Sequence, residues 1–276
     1  GDRLEAWERW RLPLAAWRAD ADMLHCPTNT CPTWMPVPTV VSIHDLIPLD
    51  MPGGRPWLET QRFERCVRHA CRHAAWIITG SEYTRARLVN EFGADQRRIT
   101  VTYWAADQTI QPVAPDHFGP VLARYGVSMP YVLHLGAPDP RKNTVRLLQA
   151  WAQLPPSLRK ERRLLVVGLH PTFQARLWEQ VQALGLGASV VLHGYAAQED
   201  MATLLSAAEA LAYPSQSEGF GLPILDAWAT HTPVLTGNRT SLPEVAGPAA
   251  LLVDPLDTTA LAQGLQELLN NPVLQA

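Results

Sequence analysis

Lysine is nearly absent: of 23 basic residues only Lys142 and Lys160 are lysines, and the rest are arginines. There is no basic excess either. The net charge of −3 argues against a general nucleic-acid binder, whose domains carry a positive surplus. No apolar run is long enough to span a bilayer, and no stretch reads as a signal peptide. Structural-zinc spacing is missing too, since Cys26, Cys31, Cys66 and Cys71 form two Cys-x4-Cys pairs. His69 and His73 beside the second pair leave a metal site as an alternative. The plainer reading is free thiols, mostly buried, in a reducing cytoplasm. What is present is an ordinary globular composition, 47% hydrophobic and 18% charged, in 276 residues, room for two domains.

The second half alternates between two periods. Apolar strand-like runs fall at 131–136, 164–168, 189–194, 210–214, 232–238 and 250–254. Helical patterns at 143–153, 173–184, 198–207, 223–230 and 258–270 separate them, and a short turn of helix begins at Ser241. Near-continuous apolar strands joined by helices predict a parallel sheet covered on both faces, with ligands at the carboxyl ends of its strands. The first half repeats the pattern less completely. Strands are predicted at 39–44, 76–79 and 99–103, and helices at 3–17, 58–73 and 81–92. Residues 105–129, rich in proline and polar side chains, read as a linker. The expected domains are therefore 1–118 and 119–276.

Five constellations stand out. The first is Glu218-Gly-Phe-Gly-Leu-Pro-Ile-Leu-Asp226, in which a glycine loop joins two carboxylates. Gly219 and Gly221 let the backbone turn and approach a ligand closely, and Pro223 suits a helix start. Orphan amides and the macrodipole make that start a phosphate cradle, with Glu218 at its mouth and Asp226 in the first helical turn. The plain alternative is a surface loop before an ordinary helix. The second is Gly136-Ala-Pro-Asp-Pro-Arg-Lys-Asn143, where Asn143 is placed to cap the next helix. Arg141 and Lys142 before a helix oppose its dipole, which a bound anion would justify; otherwise they are a solvated basic pair. The third, His44 at a strand end, serves either a substrate hydroxyl and proton transfer or structure alone. The fourth, Gly194 with the backbone of Tyr195, borders a base or simply ends a strand. The fifth is a start bearing Trp7, Trp10, Leu14 and Trp17 among Arg3, Arg9, Arg11 and Arg18. It packs on the first sheet, or lies on an anionic membrane surface.

Together these residues resemble the retaining glycosyltransferases of family 4. The match rests on Thr39-Val-Val-Ser-Ile-His-Asp-Leu-Ile-Pro48, Ile77-Ile-Thr-Gly-Ser-Glu-Tyr-Thr84, Pro140-Arg-Lys-Asn143, Ser215-Gln-Ser-Glu-Gly-Phe-Gly-Leu-Pro223 and Ser241-Leu-Pro-Glu-Val-Ala-Gly247. The resemblance runs from about Asp22 to the end. It implies the α/β GT-B fold, two Rossmann-like doubly wound domains facing a cleft, with an incomplete N-terminal domain. No counterpart of the family's first βα unit precedes Arg3, and its final helix has none after Ala276.

The resemblance also implies roles. Glu218 and His44 would meet the transferred sugar. Lys142, with Arg141, would bind the diphosphate, aided by the amides of Gly221 and Leu222. Gly136, Gly194, Tyr195, Gly219 and Phe220 would line the donor site. Asp226 would take the place of the glutamate that binds the ribose, one methylene shorter. Where many relatives carry an arginine soon after the residue matching Gly136, this chain has Ala137 and Pro138, which leaves more phosphate charge to Lys142. The implied activity is transfer of a hexosyl unit, mannose favoured, to a saccharide or lipid-linked acceptor. GDP-mannose is the first donor, and UDP- or dTDP-sugars are second. The implied place is the cytoplasm, including the inner membrane face, and no metal or other cofactor is required. The alternatives are a GT-B sugar epimerase or hydrolase, or a nucleotide-binding module without turnover.

Overall fold

The computed structural model describes residues 7–51 and 56–271, together with Leu274. The chain forms two compact units. One runs to Trp104 and includes Glu218–Phe220; the other comprises Ala105–Ser217 and the chain from Gly221 onward.

In the first unit a π-helical turn, Trp7–Arg11, leads into α1 (Leu12–Arg18). Arg3, placed in this helix by the sequence, lies outside the described residues. The expectation that the tryptophan face packs on the sheet is not met. Trp7, Trp10 and Trp17 are all exposed, while Leu12 and Pro13 face the protein. Proline in the first turn fits a helix start, and it takes the apolar face with it.

Four strands follow: β1 (Leu24–Cys26), β2 (Thr39–Ser42), β3 (Trp76–Thr79) and β4 (Ile99–Val101), parallel and in sequence order. Helices α2 (Ile47–Asp50) and α3 (Trp57–His73) join β2 to β3, and α4 (Glu82–Phe92) joins β3 to β4. The hydroxyl of Ser81 accepts from the Thr84 amide and so caps α4. Val41, Ile43, Ile77 and Ile99 on the strand side pack against Val67, Leu88 and Phe92 of the helices. Strand β1 escapes sequence reading because it is three residues long with only Cys26 buried.

The second unit begins with α5 (Phe118–Arg124), inside the stretch that reads as a linker. This is a correction. Ile110, Phe118, Leu122, Tyr125 and Val127 are buried in the second unit's core. Tyr125 donates from its hydroxyl to Asp200 at 2.9 Å and accepts from the Ala197 amide at 3.1 Å. Apolar residues spaced three and four apart outweigh the local proline content.

The elements that follow are β5 (Tyr131–Leu135), α6 (Thr144–Gln153), α7 (Pro156–Glu161), β6 (Arg163–Val167), α8 (Pro171–Ala183), β7 (Val190–Leu192), α9 (Gln198–Ser206), β8 (Ala210–Tyr213), α10 (Leu222–Ala229), β9 (Val234–Gly237), α11 (Leu242–Ala246), β10 (Leu251–Val253) and α12 (Thr258–Asn270). The six strands form one parallel sheet in the order β10-β9-β8-β5-β6-β7. Successive side chains point to opposite faces. Thus Val132, Leu164, Val166, Ala210 and Ala212 join one core with Trp151, whereas Tyr131, Leu133, Leu165, Val167 and Leu211 join another. Both faces being covered explains the unbroken apolar runs. Among the described residues no helix is long and apolar enough to cross a membrane.

Candidate functional site

Strand order reverses at the β5–β8 pair, because β6 and β7 extend the sheet on one side and β9 and β10 on the other. The helices that follow β5 and β8 therefore pack on opposite faces of the sheet, the arrangement that places ligands at the carboxyl ends of these strands. Residues 136–143 follow β5, and residues 214–217 follow β8. The two segments are bonded together. The Gln216 amide donates to Arg141 O at 2.8 Å, and its side chain donates to Pro140 O at 3.2 Å. Arg141 donates to Ser217 O at 3.3 Å and, through Nε, to Asp139 at 2.8 Å. Asp139 also accepts from the Arg141 amide at 3.0 Å, which closes the tight turn Pro140–Lys142.

Asn143 does not cap α6 with its side chain, contrary to expectation. It is left-handed, with φ 63°, rather than in the extended geometry usual for a capping residue. Its Nδ2 instead donates to Pro214 O at 3.1 Å and Pro255 O at 2.6 Å, tying three loops together. Lys142 also has a partner that no local pattern signals. Its Nζ donates to the Tyr213 hydroxyl at 2.8 Å and sits 4.7 Å from that ring's centroid. The basic pair is thus held at the end of β8, not loose in solvent.

Beneath this turn His134 is fully buried on β5. The Ala212 carbonyl, 2.8 Å from Nδ1, only accepts, so Nδ1 carries the proton. Nε2 then accepts from Thr144 Oγ1 at 2.9 Å, which pins the start of α6 to the sheet. Burial lowers the His134 pKa from 6.5 to about 4, and Lys142 adds to the effect. The folded state favours neutral imidazole. The stability this gives is therefore present above about pH 6.5 and is lost as pH falls toward about 4. We expect a loss of about 3 kcal/mol between those limits. Urea unfolding at both pH values checks this, and a His134→Gln variant should show a flatter pH dependence than the native chain.

Gly136 and Gly194 belong to a row that also includes Gly168, which sequence reading took only as a strand end. The Gly136 amide donates to Val167 O and the Gly168 amide to Gly194 O, both at 2.8 Å. Gly168 has φ +87°, and a Cβ there would lie 2.5 Å from Gly136 O. Only glycine allows the backbone to approach this closely at the strand ends. The Tyr195 side chain, next in the chain, is 70% exposed.

Gly221, with φ 117°, turns the chain into α10, whose first residue is Leu222. Asp226 is the fifth residue of that helix and so lies beyond its first turn, a correction to the sequence reading. Its carboxylate accepts from the Asp107 amide at 3.3 Å. Burial raises the Asp226 pKa, the Asp107 amide opposes the rise, and the Asp107 charge adds to it.

The first unit holds the other predicted residues. His44 follows β2. Its Nε2 lies 2.6 Å from Pro27 O and must donate, so in the neutral ring Nδ1 keeps the lone pair. The His44 amide donates to Asn29 Oδ1 at 2.5 Å. Its ring meets Trp104 edge-on at 5.2 Å, and Trp104 lies 5.4 Å from the buried Phe220. Ser81 donates to Gly219 O at 2.9 Å. Glu218 is only 8% exposed.

Comparison with known proteins gives a consistent result. The family described as "Glycosyl transferases group 1" matches residues 127–276, and "Glycosyltransferase Family 4" matches residues 2–109. The chain is 33% identical over 233 residues to the O-antigen chain mannosyltransferase B of Escherichia coli, covering 84% of this chain and 61% of that protein. It is 28% identical over 282 residues to an MMP alpha-(1->4)-mannosyltransferase of Mycolicibacterium hassiacum, covering 94% of this chain and 64% of that one. Among solved structures, Anabaena Alr3699/HepE in complex with UDP-glucose superposes with a TM-score of 0.77 at 20% identity, covering 96% of this chain and 73% of that one. The chain thus spans less than two thirds of the length of these mannosyltransferases.

Proposed function

Because this chain belongs to the group 1 glycosyl transferases and has the GT-B fold of two Rossmann-like units, we propose that it transfers a hexosyl unit from a nucleotide diphosphate sugar to a hydroxyl acceptor, with retention at the anomeric carbon. The observation that carries this reading is the bonded pair of loops at the β5–β8 reversal, which holds Arg141 and Lys142 at the carboxyl edge of the sheet. In the reaction the bond from the anomeric carbon to the diphosphate breaks and a bond to the acceptor oxygen forms. The acceptor's proton leaves with the nucleoside diphosphate. Lys142, Arg141 and the amides of Gly221 and Leu222 offset the charge on the departing diphosphate. Glu218 accepts from hydroxyls of the sugar. Asp226 accepts from the ribose, and the glycine row with Gly194 and the Tyr195 backbone borders the base. His44 offers Nδ1 to the transferred sugar, since Pro27 occupies Nε2.

Mannose is the favoured hexose, on the names of the relatives in Escherichia coli and Mycolicibacterium hassiacum. GDP-mannose is the first donor by analogy, and the UDP-glucose held by the Anabaena protein keeps UDP-sugars second. The acceptor is a growing saccharide, free or lipid-linked. The exposed Trp7, Trp10 and Trp17 among arginines favour peripheral contact with an anionic membrane face.

The test is a transfer assay with GDP-mannose and a mannose-bearing oligosaccharide, followed by NMR of the product. We expect an α-linked mannosyl product from the α-configured donor. A β-linkage, a donor epimerised in place, or free hexose alone would overturn the reading.

A further inference from the structure

Cys31 and Cys66 lie 35 residues apart in sequence, yet their sulfurs are 3.6 Å apart. Both are free thiols and, unlike Cys26 and Cys71, only half-buried. A disulfide needs sulfurs at about 2.05 Å, so the two must close by about 1.5 Å. Cys26 and Cys71 differ: they are buried, and burial pushes both thiols up to about 11, which keeps them protonated and inert. Within the close pair the two thiols share an S–H···S contact in which either sulfur can donate. Sharing one proton across that contact favours the thiolate at one sulfur, with Cys66 lowered and Cys31 raised, and leaves its neighbour as the thiol in reach to resolve a mixed disulfide. Among the described residues no group of three or more Cys, His, Asp or Glu is arranged to hold a metal ion.

The pair sits under the segment that grips His44. Pro27 O faces His44 Nε2, and Asn29 Oδ1 receives the His44 amide. The Asn29 backbone is left-handed, with φ 58°, and its amide donates to Ser42 O at 2.9 Å. Cys66 Sγ in turn donates to Asn29 O at 3.7 Å, and Cys31 Sγ to Cys66 O at 3.6 Å. The two sulfurs therefore join residues 27–31 to α3. Linking them covalently removes the Cys66–Asn29 contact and pulls the segment toward the helix.

We propose that Cys31 and Cys66 are a reversible disulfide-forming site, oxidised by small-molecule disulfides, that sets how residues 27–31 hold His44. The Cys66 thiolate attacks one sulfur of the small disulfide and expels one thiolate. Cys31 then attacks the mixed disulfide at Cys66 and expels the second. Two protein thiols become one disulfide, the reagent is reduced to two thiols, and the two protein protons pass to the released thiolates. The effect on transfer rests on the role proposed above for His44; the disulfide itself does not.

The experiment treats the full chain with oxidised glutathione, blocks remaining thiols with N-ethylmaleimide and maps the peptides by mass spectrometry. His44 imidazole resonances are followed in parallel, assigned with a His44→Gln variant. We expect a Cys31–Cys66 linked peptide, a shifted His44 resonance, and a transfer rate lowered about tenfold, all reversed by dithiothreitol. Cys31→Ser should keep the basal rate, carry glutathione on Cys66, and lose the rate response. No linked peptide in the native chain, or a linked peptide with unmoved His44 signals, would overturn the proposal. A fully reduced protein that transfers no sugar contradicts the proposed function instead, and leaves the peptide and NMR results decisive for the thiol pair.

Discussion

Glu218→Ala lowers the rate of sugar transfer by about 10²- to 10³-fold, the loss typical of removing one group that steadies the reacting centre. Glu218 is buried, and Ser217 and Phe220 near it in the chain are themselves 3% and 4% exposed. A carboxylate held in so buried a place is positioned rather than free to wander, which suits contact with a bound ligand. The turn around it is fixed on both sides. Ser217 O receives Arg141, and Gly219 O receives Ser81. A side chain on so constrained a backbone meets a substrate with little ordering left to lose, which is the condition for a large positioning effect. Glu218→Gln keeps the shape and loses only the charge. Its transfer rate should drop while its unfolding stays a single cooperative transition, which separates lost chemistry from a lost fold. A Glu218→Ala rate within about twofold of native would remove the residue from the site.

Lys142→Ala weakens binding of a nucleoside diphosphate by about 10²-fold, close to 3 kcal/mol, as expected for a charge-assisted bond to phosphate. The ammonium is already ordered by the Tyr213 hydroxyl and ring, so binding an anion costs it little side-chain entropy. With Lys160 the only other lysine in the chain, the effect is not masked by a neighbouring lysine. Tyr213→Phe separates the two roles. The cation stays but loses its bond to the Tyr213 hydroxyl, and affinity should fall much less than in Lys142→Ala. Calorimetric titration with the nucleoside diphosphate reads both variants, and equal affinity for native and Lys142→Ala protein would exclude the lysine from the phosphate site.

The sequence reveals the second sheet because each strand is an apolar run ended by a turn residue, as in Tyr131–Leu135 before Gly136. It also places the two loops, since chain order and the parallel-sheet rule put both at carboxyl ends. What it hides is long-range or conformational. Tyr213 meets Lys142 across 71 residues, a pairing no local pattern encodes. Asn143 looks like a cap, but a left-handed backbone sends its amide to the carbonyls of Pro214 and Pro255 instead. Asp226 lies one residue further into its helix than Pro223 suggests, just past the first turn, because α10 starts at Leu222. Helix α5 is obscured by prolines on both sides, although Phe118 and Leu122 mark its buried face. In the first half, the three-residue β1 has too few apolar positions to show a period.

Affinity for GDP-mannose and for GDP, measured by calorimetry on native and Glu218→Gln protein side by side, tests the central claim most directly. If the turn at Glu218 holds the sugar while Lys142 holds the diphosphate, the variant binds GDP as the native chain does and loses about tenfold or more for GDP-mannose. Equal affinities of the two proteins for GDP-mannose, or a parallel loss for GDP, would contradict it.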